Sequence, residues 1–117
     1  MNYQNAVRYT TATIANGEAL SDAVAVGRGA VVLGVVMPAS WTTANLTFQA
    51  SVDGTNFFNL YDNATEYTVT AAASRVIMIN SDITDSLQQI KVRSGTSGTP
   101  VNQGAERLLT IIVRDVA

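Results

Sequence analysis

The chain has 117 residues, no Cys and no His, seven basic and nine acidic side chains, and a formal net charge of −2. That length suits one domain spanning residues 1–117, with no disulfide or thiolate metal site and no imidazole for general base or metal chemistry near neutral pH. Only one of the seven cations is a lysine, Lys91, and no basic run exists to neutralise phosphates, so a nucleic-acid groove is not expected.

In chain order, Val7 to Ile14 predicts a first strand, with Thr10, Thr11 and Thr13 favouring extended backbone. Asn16-Gly17 turns the chain, and Val24 and Val26 suggest a brief strand closed by Gly27-Arg28-Gly29. Ala30 to Met37 is apolar on both faces apart from Gly34, which places it centrally in a sheet or under an outer cover. It is too short to span a membrane. The amino terminus lacks the basic region and apolar block of a secretory signal, so no secretion by that route is expected, and the sequons at Asn45 and Asn63 are read as accidental.

Pro38 ends the strand because it cannot donate to a ladder. Ala39 to Asn45 reads as a loop or a single helical turn capped by Ser40, with Trp41 folded over one end of the core. Leu46, Phe48, Ala50 and Val52 then alternate with Thr47, Gln49 and Ser51, the period of a strand with one wet face. Asp53-Gly54 predicts a tight hairpin turn, with Asn56 to Leu60 returning. Tyr61-Asp62-Asn63 reads as a turn, Glu66 to Thr70 as a further alternating stretch, and Arg75 to Ile79 as a strand. Asn80 to Ser86 is a polar loop. In Leu87 to Ser94 the side chains of Ile90 and Val92 face inward while Gln89, Lys91 and Arg93 face out. Gly95 to Gly104 reads as a long flexible loop, and Arg107 to Arg114 as the closing strand.

About eight strands, turn signals between them and no long helix predict an all-β fold, a single antiparallel β-sandwich with Greek-key or jelly-roll connections. Leu46, Phe48, Val52, Ile90, Val92, Ile111 and Val113 are the expected core.

The sequence carries few groups placed for chemistry. No His can activate the many Ser and Thr hydroxyls. The acidic pairs Asp82 with Asp85 and Asp62 with Glu66 sit at predicted turns, where Asp commonly bonds nearby backbone N–H groups. Asn80 to Asp85 lacks the spacing of a defined calcium loop, and Gly95-Thr-Ser-Gly-Thr lacks the Gly-Lys-Ser/Thr ending of a phosphate loop. No catalytic residue, cofactor or metal is expected. Charged residues are only 14 % of the chain, against ~25 % in typical domains. So weakly charged a surface tends to associate, which suits a protein covered by partners.

Pro38 to Phe57, with Trp41, Leu46 and Asp53-Gly54, resembles a pattern in small β proteins encoded by tailed bacteriophages and prophages. So do Leu87 to Gln103 and Ala105 to Ile111, and the resemblance covers roughly residues 30 to 114. It implies a virion component made in the host bacterial cytoplasm. A 117-residue sandwich without coiled-coil or collagen repeats is short for a shell-forming protein or a stalked fibre. The expectation is therefore a capsid decoration or cement protein on the head surface. Its partners would be the major capsid protein and further copies of itself in a symmetric oligomer such as a trimer, with neither nucleic acid nor membrane involved. Residues 1–6 would form a docking arm, and Tyr3, Arg8 and Tyr9 are interface anchors by residue type. The alternative is a glycan-binding module of a tail or head fibre, with Trp41, Phe57, Phe58 and Tyr61 as its stacking platform.

Overall fold

Alternation of apolar and polar residues requires each sheet to bury one face, and the chain satisfies this by folding two sheets against each other. The computed structural model describes residues 7–27, 29–84 and 87–115. Its strands are β1 (Val7–Ile14), β2 (Val24–Ala25), β3 (Ala30–Val36), β4 (Leu46–Ser51), β5 (Phe58–Asn59), β6 (Tyr61–Asp62), β7 (Thr65–Glu66), β8 (Val76–Met78), β9 (Gln89–Ser94) and β10 (Arg107–Asp115). One four-stranded sheet has the order β1-β10-β3-β8 and the other β2-β9-β4-β5, while β6 and β7 form a small separate hairpin. Every strand pair in them is antiparallel. Within the two main sheets only β4 and β5 are joined as sequential neighbours; the other connections cross from sheet to sheet, the Greek-key habit that the long loops implied.

Ala12, Ile14, Val32, Val35, Leu109, Ile111 and Val113 of the first sheet meet Val24, Leu46, Phe48, Ile90 and Val92 of the second in one core. Six of the seven expected core residues are therefore buried. The seventh, Val52, is 74 % exposed. The cause is the loop after β4, which is not a tight two-residue turn. Ala50 pairs with Phe58, so the chain between them makes a broad excursion, and the expected return strand shrinks to β5. Asp53 organises that excursion. Its carboxylate accepts hydrogen bonds from the Thr55 and Asn56 backbone N–H groups, the Asn56 amide and the Ser51 hydroxyl, each at 2.8–2.9 Å. These donors hold its pKa well below the ordinary carboxylate range. Gly54 does adopt the positive φ, +81°, that the turn reading required.

Other expectations shift for similar local reasons. Of the two readings of residues 39–45, the loop is the one observed, with no helical turn. The 61–63 turn is displaced to Asn63-Ala64, between β6 and β7, with Asn63 in the left-handed region at φ +56°. Ser81–Ile83 form one turn of 3-10 helix capped by the Asn80 side chain, which accepts from the Asp82 N–H. Where the strands run short of neighbours, hydroxyls complete the ladders. Opposite β3, where β8 has ended, Thr84 Oγ1 accepts from the Val32 N–H at 2.9 Å. Beside β9, Ser21 Oγ accepts from the Val92 N–H at 2.9 Å. Side-chain hydroxyls thus satisfy backbone groups that burial would otherwise make costly.

Candidate functional site

The sandwich has two outer faces of opposite character. On the β2-β9-β4-β5 sheet, register sets Thr47 beside Arg93, Gln49 beside Lys91 and Ser51 beside Gln89. This is the wet face expected from alternation, but it is not simply open to solvent. Arg93, predicted to face out, does so and is nonetheless only 7 % exposed. The β6–β7 hairpin and the loop after β9 fold across it. Its guanidinium donates to Asn59 Oδ1 at 2.7 Å, Thr47 Oγ1 at 3.3 Å and Glu66 Oε2 at 3.4 Å. Glu66 Oε1 in turn accepts from the Ser97 N–H at 3.1 Å. A buried ion pair of this kind offsets its desolvation only when its remaining hydrogen-bonding capacity is filled, as here. Glu66 thereby ties the β6–β7 hairpin to β9 and to the loop that follows it. Farther along, Lys91 Nζ lies 4.5 Å from the centroid of the Phe57 ring.

The loop from Gly95 to Gly104 also belongs to this architecture. It was expected to be flexible, yet Gly95 bridges to Pro100, and the Val101 N–H donates to the Ser94 carbonyl at 2.8 Å. Gln103, 1 % exposed, anchors its far end. Its Oε1 accepts from the Thr42 N–H at 2.9 Å and from Arg107 Nε at 3.0 Å. Its Nε2 donates to the Thr42 carbonyl at 3.0 Å and to Ser94 Oγ at 2.7 Å. Nothing in the sequence around Gln103 marked it as buried, because a polar residue in a Gly-rich stretch reads as solvent-facing. Among the described residues no buried side-chain nitrogen or oxygen lacks a partner.

The outer face of the β1-β10-β3-β8 sheet differs. Across its four strands the register aligns Tyr9, Ile112, Gly34 and Met78 in one row, and Thr11, Thr110, Val36 and Val76 in the next. Tyr9 is 72 % exposed and Met78 66 %; Val7, Val76 and Leu108 are each about half exposed. On the central strand β10, the outward positions read Leu108, Thr110, Ile112, with Arg114 at one end and Glu106 just ahead of the strand at the other. Both charged residues are exposed, and neither is in an ion pair among the described residues. Between them the face carries no charge. Ala30 to Met37 and Arg107 to Arg114 were legible as apolar on both sides; the register shows that their outward sides lie together.

The residues singled out from sequence fall in different places. Tyr3 and the arm 1–6 lie outside the described residues, as does Asp85. Arg8 is not a free anchor. Its Nε donates to both oxygens of Asp115 at 3.1 Å, and its Nη2 to the Val26 carbonyl, tying β1 to the end of β10 and to the loop after β2. Tyr9 is exposed on the outer side of β1. Of the aromatic platform, Trp41 is half-buried against the core with its Nε1 donating to the Ala44 carbonyl at 3.0 Å, and Phe57 is engaged by Lys91. Phe58 and Tyr61 remain exposed, on β5 and β6. Among the described residues there is no ligand-sized pocket and no cluster of three or more acidic side chains suited to a metal. Comparison with protein-family models, with curated proteins and with solved structures gives no match.

Proposed function

We propose that this protein is a structural component of a bacteriophage virion, a decoration or cement protein of the capsid exterior. The observation that carries the reading is the uncharged apolar outer face of the β1-β10-β3-β8 sheet, with Tyr9 and Met78 standing open on it. A soluble domain that must remain single masks such a face with charge, since exposed apolar area and bare sheet surfaces promote association. Here the second sheet is protected by its own hairpin and loop, and the first is left for other chains to cover.

The mechanism is additive burial. Copies bound across capsomer boundaries remove further area from water, and whatever binds only the assembled shell raises the free energy of taking it apart. The sandwich supplies a rigid body, because its core and its polar loops are internally satisfied. Attachment to the shell is assigned to the amino-terminal arm.

The test uses particles that lack the protein. Incubated with the full chain and sedimented, they are expected to carry it down and to withstand more heat or chelator before releasing DNA. Deletion of residues 2–6 is expected to leave the far-ultraviolet spectrum unchanged and to weaken co-sedimentation. Failure of the intact chain to bind such particles would overturn the reading. If attachment to cell-surface sugar is instead found and is lost in Phe58→Ala or Tyr61→Ala, the glycan-binding module is the correct class.

A further inference from the structure

We infer that the apolar outer face of the first sheet is a self-association surface, on which a second copy of this chain packs sheet to sheet about a two-fold axis. The inference concerns the isolated protein and takes up the same face that supports the virion reading, now with a second copy as its occupant. Its occupant is identified by the pattern of charge along β10. Glu106 and Arg114 bracket the apolar stretch, one at each end of the same outward line of the central strand. A two-fold axis perpendicular to β10, lying in the interface at Thr110, runs the two β10 strands antiparallel. That places Glu106 of each copy against Arg114 of the other, and Ile112 against Leu108. An isologous interface makes each such contact twice from one patch. The face is its own complement in charge and in hydropathy, which is the property a second copy requires.

The area is consistent with this occupant. The four strands, of eight, nine, seven and three residues, at ~3.3 Å per residue and ~4.8 Å apart give a footprint on the order of 400 Å² before side-chain relief is counted. A standard interface buries ~800 Å² per partner. Aligned sheets pack with their strands about 30° apart. The row of Thr11, Thr110, Val36 and Val76 then lies on the axis and meets its own counterpart, the row of Tyr9, Ile112 and Met78 meets the Thr13 and Leu108 row of the second copy beside it, and the charged ends of β10 lie at the rim. An interface at the small end of the range with rim charges forms a weak, reversible dimer sensitive to salt.

Sedimentation equilibrium of the full chain across a wide concentration range tests the inference directly. The expected result is a monomer–dimer equilibrium that weakens with added salt. Met78→Lys, at an exposed position, is expected to leave the thermal midpoint and the far-ultraviolet spectrum intact and to abolish the dimer. Glu106→Arg alone and Arg114→Glu alone each set like charges against each other twice and are expected to weaken dimerisation by about tenfold or more. The double reversal, Glu106→Arg with Arg114→Glu, is expected to restore it. Wild-type protein that stays monomeric throughout, a dimer indifferent to Met78→Lys, or a double reversal no better than the single ones would each overturn the inference. A monomer whose binding to particles nevertheless depends on Met78 would assign the face to the capsid protein instead.

Discussion

Replacing Gln103 by Leu gives the sharpest test of how the loops are held. Gln103 lies between the 38–45 loop and the start of β10 and uses both ends of its amide, accepting from Thr42 N–H and Arg107 and donating to the Thr42 carbonyl and Ser94 Oγ. Leu has nearly the same volume, so no large cavity forms and the cost is polar. The Ser94 hydroxyl is fully buried and the Thr42 backbone half-buried. A buried polar group left without a partner costs about 1–3 kcal/mol. Arg107 reaches water and adds little. Three stranded groups, the buried Ser94 Oγ and the half-buried N–H and carbonyl of Thr42, together give an expected loss of about 2–4 kcal/mol, a sizeable part of the ~5–15 kcal/mol available to a domain. The thermal midpoint should fall by roughly 10–20 °C. Urea unfolding followed by circular dichroism measures the loss, and hydrogen exchange reports separately on the Thr42 amide, which should lose protection. A loss under about 0.5 kcal/mol with the Thr42 amide still protected would refute the assignment of Gln103 as the tie between these loops.

Other expectations follow from the same contacts. Phe48→Ala, deep between the sheets and stacked with Tyr67 at 6.0 Å between ring centroids, should cost about 3–5 kcal/mol, whereas Val52→Thr at its exposed site should stay within about 0.5 kcal/mol in the same urea titration. Gly34→Ala should detach β8, because a Cβ there would sit 2.7 Å from the Ile77 carbonyl oxygen; faster exchange confined to 76–79 would be the signature, and unchanged exchange there would count against it. Asp53 has its folded pKa lowered by the backbone N–H groups of Asn56 and Thr55, so its contribution is fully present above the ordinary carboxylate pKa of ~3.9 and is lost as pH falls below that value toward the lower folded pKa. Carboxyl NMR should show Asp53 still ionised at pH 3, and Asp53→Asn should flatten this part of the acid dependence.

What the sequence determined by itself is the class and most of the strands. Period-two alternation in Leu46 to Ser51 and Gln89 to Ser94, the apolar run Ala30 to Val36, and the run Leu108 to Val113 broken only by Thr110, are local properties, since a strand must show one face to the core wherever it lies. Gly54 and its positive φ are local for the same reason, fixed by a backbone that side chains rarely allow. Tertiary structure decided whatever depends on which segment lies beside which. Val52 continued the alternation perfectly and still points to solvent, because Asp53 gathers the chain into a loop before a further strand pair can form. Arg93 kept its outward side and lost its solvent because a distant hairpin brought Glu66 and Asn59 to it. Gln103 became a buried tie only through Thr42, sixty-one residues away in the chain. The apolar outer face is the plainest case. Tyr9, Ile112 and Met78 carry no common signal along the chain, and only the pairing of four non-consecutive strands sets them side by side on one uncharged surface.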